Sequence, residues 1–258
     1  MTDLIRADIL LTELGLAASR TLAQQQIAAG RVTLIEAGQR IAVKKPSQKL
    51  LADAKLEVAE DPAERYVSRG GLKLAGALAH SGLAVAVAGW HCLDVGISTG
   101  GFSDCLLKSG AAAVVGVDVG HGQLHPELQE EPRLTLFEGV NARSLDAAAI
   151  LAANGGQAFD LAVADLSFIS LTLVLPAFAP LVRPGGQLLC LVKPQFEVGR
   201  EGVAKGGIVR DAALYEGVRE KITACAQELG LTVVDWFDSP ITGGDGNREF
   251  FLHAARPA

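Results

Sequence analysis

The stretch Asp94-Val95-Gly96-Ile97-Ser98-Thr99-Gly100-Gly101-Phe102 gathers a carboxylate, two hydroxyls and three glycines. Glycines let the backbone approach a ligand closely, and the polar side chains supply contacts to it. The spacing G-x-S-x-G-G is not the dinucleotide fingerprint G-x-G-x-x-G. Asp118 ends the next apolar run about twenty residues on, where a carboxylate suits the ribose diol of an adenosine cofactor. An acid ahead of the loop, Asp94, suits a ligand bearing an ammonium and a sulfonium better than one bearing a pyrophosphate. Asp94, Gly96, Ser98, Thr99, Gly100, Gly101, Phe102 and Asp118 are therefore expected to bind S-adenosyl-L-methionine. A nucleotide-dependent oxidoreductase and a merely tight structural turn remain as alternatives.

Two further charged residues leave apolar runs on the same side as this loop: Asp165 after Leu161–Ala164, and Lys193 after Leu188–Val192. In an open α/β sheet the ligand crevice lies outside the carboxyl ends of the strands, so both are site candidates, Asp165 for cofactor contact as well as chemistry. Lys73, in the helical pattern after Ser68, reads on its own as a solvated helix lysine. Glu249, at the start of the last apolar run, reads equally as an edge-strand charge.

The elements that must position these residues follow from periodicity. Strands are expected at His91–Val95, Val114–Asp118, Leu134–Phe137, Leu161–Ala164, Leu188–Val192, Leu231–Phe237 and Glu249–Ala254, with helices notably at Ser170–Ala179 and Asp211–Leu229. Ser103 is the expected N-cap of the helix after the glycine loop. A helix opening near Ser68, with Leu72, Leu78 and Ala79 on its apolar face, precedes the first strand. The last two strands, separated by Gly243-Gly244-Asp245-Gly246-Asn247, suggest an antiparallel hairpin on an otherwise parallel sheet. The loop from Phe196 to Asp211 is read as an RNA-facing lid offering Arg200, Lys205 and Arg210, against the alternative of a plain surface excursion.

Ahead of this, residues 4–30 read as two short helices, the first striped by Ile5, Ile9, Leu10 and Leu14, the second capped by Ser19. Strand-like pieces follow at 31–35, 40–43 and 56–58, and Glu60 to Ser68 reads as a linker. The expected domains are therefore residues 1–62, small and α+β, and residues 63–258, larger and α/β.

The net charge of −6 does not advertise nucleic-acid binding, but it is unevenly spread. Residues 1–60 carry eight Lys/Arg against seven Asp/Glu, while 61–258 carry fifteen against twenty-two. Any RNA contact must use local patches, for which Arg6, Arg20, Arg31, Lys44, Lys45 and Arg65 are the candidates. The four cysteines show no C-x-x-C spacing and are expected to be buried small hydrophobes, with no metal site. The longest uncharged run, Leu166 to Val182, is short for a membrane span and contains Pro176 and Pro180. With no signal-peptide pattern, a reducing cytoplasmic setting is expected.

These motifs carry a resemblance. Arg6-Ala7-Asp8-x-x-Leu11, Gly15-Leu16-x-x-Ser19-Arg20, Ala23-x-x-x-Ile27 and Gly30-Arg31-Val32 resemble the alpha-L RNA-binding module of a small-subunit ribosomal protein. Ile35-Glu36-Ala37-Gly38 stands where that module more often has a short Asn-Gly turn. The order Lys73, Asp165, Lys193, Glu249 resembles the Lys-Asp-Lys-Glu tetrad of FtsJ-like ribose 2′-O-methyltransferases. Together with Val67-Ser68-Arg69-Gly70-Gly71-Leu72-Lys73-Leu74, Ala164-Asp165-Leu166-Ser167-Phe168-Ile169-Ser170 and Lys193-Pro194-Gln195-Phe196-Glu197, nearly the whole chain resembles the TlyA, or hemolysin A-like, family. Ile97 departs from that family's more common Ala. The resemblance implies a class I, Rossmann-like seven-stranded methyltransferase fold behind an alpha-L domain. It implies an S-adenosylmethionine-dependent enzyme that methylates ribose 2′-hydroxyls, often of cytidines in 16S and 23S ribosomal RNA. Ribosomal RNA or ribosomal subunits are then the partners.

A ribose hydroxyl is a poor nucleophile near neutral pH, whereas a sulfonium needs only alignment. Lys193 is the expected group that orients and helps deprotonate the hydroxyl. Burial and a neighbouring Lys73 favour its neutral amine; Asp165 and Glu249 favour the ammonium, so base and electrostatic stabiliser both stay open. A membrane-lytic protein, suggested by the hemolysin name, and a non-catalytic RNA-binding assembly factor are the competing functions.

Overall fold

Short runs of Val, Leu, Ala and Cys bounded by glycines form the centre of the molecule, because strands buried on both faces carry apolar residues on both. The computed structural model describes residues 4–59 and 64–258, and of Arg200 the backbone alone. The linker residues 60–63, the 62/63 boundary assigned there and the Arg200 side chain lie outside the described residues. The chain divides into two compact units, Met1–Arg65 and Tyr66–Ala258.

In the first unit, strand β1 (Leu4–Arg6) leads directly into helix α1 (Ala7–Glu13), followed by α2 (Arg20–Ala28), β2 (Val32–Glu36), β3 (Gln39–Ala42), β4 (Lys49–Leu51) and β5 (Lys55–Val58). β1 pairs antiparallel with β4, and β2 lies between β3 and β5. The sequence stripe starting at Ile5 suggested helix there. Pairing of Leu4 with Leu51 and Arg6 with Lys49 holds this segment extended instead, so non-local bonds override local periodicity. Ser19 caps α2 as expected, its side chain accepting from the Leu22 amide at 3.2 Å. The β2–β3 connection is a two-residue turn with Ala37 and Gly38 both at positive φ, 48° and 79°, between the paired Glu36 and Gln39. Ala37 thus occupies the left-handed position for which Asn is better suited.

The second unit opens with α3 (Arg69–His80). It continues through β6 (His91–Val95), α4 (Gly101–Lys108), β7 (Ala113–Val117), α5 (Pro126–Gln129), β8 (Leu134–Phe137), α6 (Ala147–Ala153), β9 (Phe159–Asp165) and α7 (Leu175–Phe178). β10 (Val182–Val192), α8 (Ala213–Glu228), β11 (Thr232–Asp238) and β12 (Phe250–Ala255) complete it. The strand order is β11-β12-β10-β9-β6-β7-β8. β12 runs antiparallel to β10 and β11, and the pairs from β10 to β8 are parallel. This is a seven-stranded Rossmann-like methyltransferase sheet. Leu74, Leu78 and Leu106 of α3 and α4 pack with Cys92 and Leu161 on one face; Ile150, Phe178, Val218 and Ile222 of α6 to α8 pack with Leu93 and Cys190 on the other.

Several expectations need correction. No continuous helix spans Ser170–Ala179: two 3-10 turns flank the four-residue α7, because Pro176 and Pro180 lack the amide that an α-helix interior requires. Gly100, at φ 93°, precedes α4 in place of Ser103, which lies buried inside the first turn. Ala79 is exposed, while Lys73 lies on the buried face of α3. Glu249 stands one residue before β12. The segment after Phe196 contains a 3-10 turn at Arg200–Gly202 and a bridge between Ala204 and Ile208.

Candidate active site

The glycine loop is shaped by packing against its own protein. Gly96 has φ 86°, and a Cβ there would lie 2.5 Å from the Asp165 carbonyl oxygen. A Cβ on Gly100 would lie 2.3 Å from Leu128 Cδ1, and one on Gly101 would meet Ser68 Oγ at 2.2 Å and the Gly71 amide nitrogen at 3.0 Å. These glycines are needed to seat the loop between β9, α5 and α3, so larger residues would disturb the fold as well as any ligand. Gly116 of β7 leaves room for Ile97: a Cβ there would lie 2.4 Å from Ile97 Cδ1. The departure from Ala at position 97 is thereby accommodated within the core.

Asp118 closes the loop's far side. Its oxygens accept from the Ser98 amide at 2.8 Å and the Gly120 amide at 2.7 Å, which holds Ser98 at φ 48°. Each carboxylate oxygen keeps a second lone pair, so Asp118 still has capacity for a diol. Asp94 is completely buried and lines neither lobe of the crevice described below. One of its oxygens accepts from Ser103 Oγ at 2.7 Å, and the other, Oδ1, has no hydrogen-bond partner among the described residues. Burial, reinforced by the nearby charges of Asp165 and Asp118 and opposed by the Ser103 bonds, pushes its carboxyl up to about 7.

Outside the carboxyl ends of β6, β7, β9 and β10 lies a crevice of two lobes that share Gly96, Ser98, Asp165 and Ser167. One lobe, of about 510 Å³, is lined by Asp118, Val119, Asn141, Ala142 and Leu166 among others, and suits a nucleoside. The other, of about 300 Å³, contains Arg69, Lys73, Thr99, Phe102 and Lys193. Phe102 is buried and stacks with Phe251 at 6.3 Å between ring centres. An apolar and diol-accepting lobe joined to one with cations, at a loop that follows the buried Asp94, fits S-adenosyl-L-methionine.

The four tetrad candidates form two ion pairs. Lys73 Nζ lies 2.6 Å from Glu249 Oε2, and both side chains are nearly buried. Lys193 Nζ lies 2.6 Å from Asp165 Oδ1, with 12% and 22% of the side chains exposed. Lys73, Asp165 and Lys193 line the smaller lobe together; Glu249, 3% exposed, stands behind Lys73. The solvated reading of Lys73 and the edge-charge reading of Glu249 therefore do not hold, since each is the other's buried partner.

Sequence reasoning overlooked the residues that hold the loops in place. The buried Glu197 carboxylate accepts from Ser170 Oγ at 2.6 Å, the Leu171 amide at 2.7 Å and Lys221 Nζ at 2.9 Å. It ties the loop after β9 to the loop after β10 and to α8. Asn247, 3% exposed, accepts from the Val209 amide at 3.1 Å and donates to the Gly207 carbonyl at 2.9 Å. It anchors the segment read as a lid, so that segment is tethered where Lys205 and Arg210 flank the tie. Arg69 donates to the Thr242 carbonyl at 3.2 Å. A buried polar residue in a loop is invisible to periodicity, and only the Gly-rich composition around Asn247 pointed to that turn.

In the first unit, the cation candidates separate by environment. Arg6 meets the fully buried Asp8 through Nε at 2.9 Å and Nη2 at 3.0 Å, and Arg20 reaches it at 3.1 Å. These bonds, that from Arg6 foremost, hold the Asp8 carboxyl well below the usual range despite its burial. Arg31, 12% exposed, lies 3.5 Å from Glu64. Lys44, Lys45 and Arg65 are exposed.

Comparison with known proteins agrees with this geometry. The family described as FtsJ-like methyltransferase matches residues 66–256. A 16S/23S rRNA (cytidine-2'-O)-methyltransferase, TlyA, of Mycobacterium tuberculosis is 44% identical over 96% of this chain and 88% of its own length. Hemolysin A of Brachyspira hyodysenteriae is 35% identical over 96% of this chain and 99% of its own. A solved structure from Streptococcus thermophilus that carries a hemolysin name is 39% identical, covers 100% of this chain and 90% of that one, and superposes with a TM-score of 0.70.

Proposed function

The chain belongs to the FtsJ-like methyltransferase family, and on that premise we propose that it methylates ribose 2′-hydroxyls of ribosomal RNA, cytidines of the 16S or 23S molecule foremost. The observation that carries this reading is the double ion pair, Lys73–Glu249 and Lys193–Asp165, with three of its members in the lobe adjoining the nucleoside lobe. Such a site handles a neutral hydroxyl that must lose a proton while being held in line. The name of the M. tuberculosis relative supports the choice of substrate.

Bound S-adenosyl-L-methionine supplies an electrophilic methyl group on a sulfonium. Around it, Asp118 and Ser98 orient the nucleoside end, and buried Asp94 provides a negative field beneath the loop for the ammonium end. Lys193 receives the hydroxyl's proton at Nζ. Asp165 holds that amine at the junction of the two lobes. Lys73, held by Glu249, adds a cation that favours developing negative charge on the ribose oxygen. Alignment contributes as much as proton transfer, because a held oxygen reacts as in a unimolecular step.

The first unit is the RNA anchor in this reading. Exposed Lys44, Lys45 and Arg65 meet phosphates directly. Arg6 and Arg20 act with the bonding capacity left beyond Asp8, and Arg31 adds a further positive charge. Such contacts position RNA without reading bases. Work on ribosomal RNA or subunits implies a cytoplasmic enzyme. The test is Lys193→Ala in single-turnover methylation of ribosomal RNA. Donor affinity within a few fold of wild type and a rate lowered on the order of a hundredfold are expected. A variant that retains most of its rate removes Lys193 from the proton transfer.

A further inference from the structure

Ser167 has no place in the Lys-Asp-Lys-Glu set, yet Lys193 Nζ donates to its hydroxyl oxygen at 3.0 Å. The same amine lies 2.6 Å from Asp165 Oδ1. Ser167 lines both lobes of the crevice, two residues beyond the end of β9. Directly after it the chain turns through Phe168 at φ 64°, in the left-handed region that a bulky side chain seldom adopts. Backbone strain at such a place persists only where the surroundings hold it, and here it shapes the turn that carries the hydroxyl.

A neutral amine held by one carboxylate can place its second N–H and its lone pair in either of the two positions that remain. A second acceptor draws the N–H to one of them and so fixes where the lone pair points. We propose that Ser167 is a positioning residue for Lys193, taking one N–H of the amine while Asp165 takes another, so that the remaining position meets the ribose 2′-hydroxyl. This rests on the ribose-methylating function proposed above. In the neutral amine both N–H groups are then engaged and the lone pair is left for the hydroxyl proton. The step balances: the O–H proton moves to Nζ and the oxygen's electron pair forms the bond to the methyl carbon. The carbon–sulfur pair returns to sulfur, giving a neutral thioether.

The experiment uses the full chain with Ser167→Ala, Ser167→Thr, Lys193→Ala and the double variant Lys193→Ala/Ser167→Ala. Ser167 is exposed, so both single changes at this position are compatible with the fold. Single-turnover methyl transfer to ribosomal RNA is measured beside donor affinity by calorimetry and KM for RNA. Ser167→Ala should lower kcat about tenfold or more, with donor affinity and KM within about threefold, as for loss of an interaction used only in the transition state. Ser167→Thr, which keeps the hydroxyl, should recover most of the loss. In the Lys193→Ala background, removing Ser167 should cost nothing further, because its effect passes through that amine. An unchanged kcat in Ser167→Ala, a donor affinity that falls in step with kcat, or full additivity in the double variant would each overturn the proposal. If Lys193→Ala itself keeps its rate, the proton-transfer role proposed for that lysine has failed, an outcome distinct from failure at Ser167 alone.

Discussion

Asp94 gives the sharpest quantitative expectation, because it is a fully buried carboxylate with one oxygen lacking a hydrogen-bond partner among the described residues. Its carboxyl titrates near 7 in the folded chain against an ordinary value of 3.8. Below about pH 4 both folded and unfolded forms are protonated and the site costs nothing. Between about 4 and 7 the unfolded chain has lost this proton and the folded one keeps it, so stability falls by about 1.4 kcal/mol per pH unit. Above 7 the loss is complete, on the order of 4 kcal/mol. Asp94→Asn keeps an acceptor for Ser103 and removes the charge. Relative to wild type, the variant should therefore gain stability steadily from pH 4 to pH 7 and level off beyond. Comparing the two proteins across pH cancels any pH-independent packing difference of the amide. The assay is denaturant unfolding without donor, followed by tryptophan fluorescence; Trp90 and Trp236, the chain's two tryptophans, both lie in the second unit. The same variant should bind S-adenosylmethionine more weakly, since the field beneath the ammonium end is gone. Stability curves that run parallel from pH 4 to pH 8 would refute the reasoning.

Three further outcomes are expected. Ile97→Ala and Gly116→Ala should each destabilise the second unit by about 1–3 kcal/mol, through a cavity and overpacking respectively. Because the two side chains compete for one space, the double variant should cost less than the sum, as read by a denaturation cycle. Glu197→Ala should cost about 2 kcal/mol, since it strips a partner from the Leu171 amide and from Lys221, and should slow methyl transfer by loosening both catalytic loops. Lys44→Glu with Lys45→Glu should weaken RNA binding similarly for different sequences and flatten its salt dependence by roughly one unit per lost phosphate contact, measured by titration at several ionic strengths.

What the sequence could reveal depended on whether a residue's role was local. Strand runs such as His91–Val95 and the strand–loop–helix unit at Gly96–Phe102 follow from apolar periodicity and glycine spacing, so the parallel sheet and its crevice were legible. The start of β10 was not: one pairing of Val182 with Phe159 extends it back before Pro184 and two glycines, where the ladder is interrupted until Gln187. The partners of charged residues were likewise hidden. Lys73 and Glu249 are 176 positions apart in the chain, and only folding makes them one ion pair. Arg6 and Arg20 looked like a free basic patch, and the buried Asp8 that holds them is one short acid in the first turn of a mostly apolar helix. Charge reversal at those two arginines would consequently disturb the first unit, which makes Lys44 and Lys45 the cleaner probes of RNA contact. Ser167 and Glu197 act across loops, where no periodicity marks a hydrogen bond.

The central claim, transfer of a methyl group to ribose, is tested most directly by nucleoside mass spectrometry. Ribosomal RNA incubated with the purified full chain and S-adenosylmethionine is digested and compared with RNA incubated with Lys193→Ala. New 2′-O-methylcytidine in the wild-type sample alone is the expected result. Methylation on a base, or RNA left unmodified by a chain that binds the donor, would contradict it.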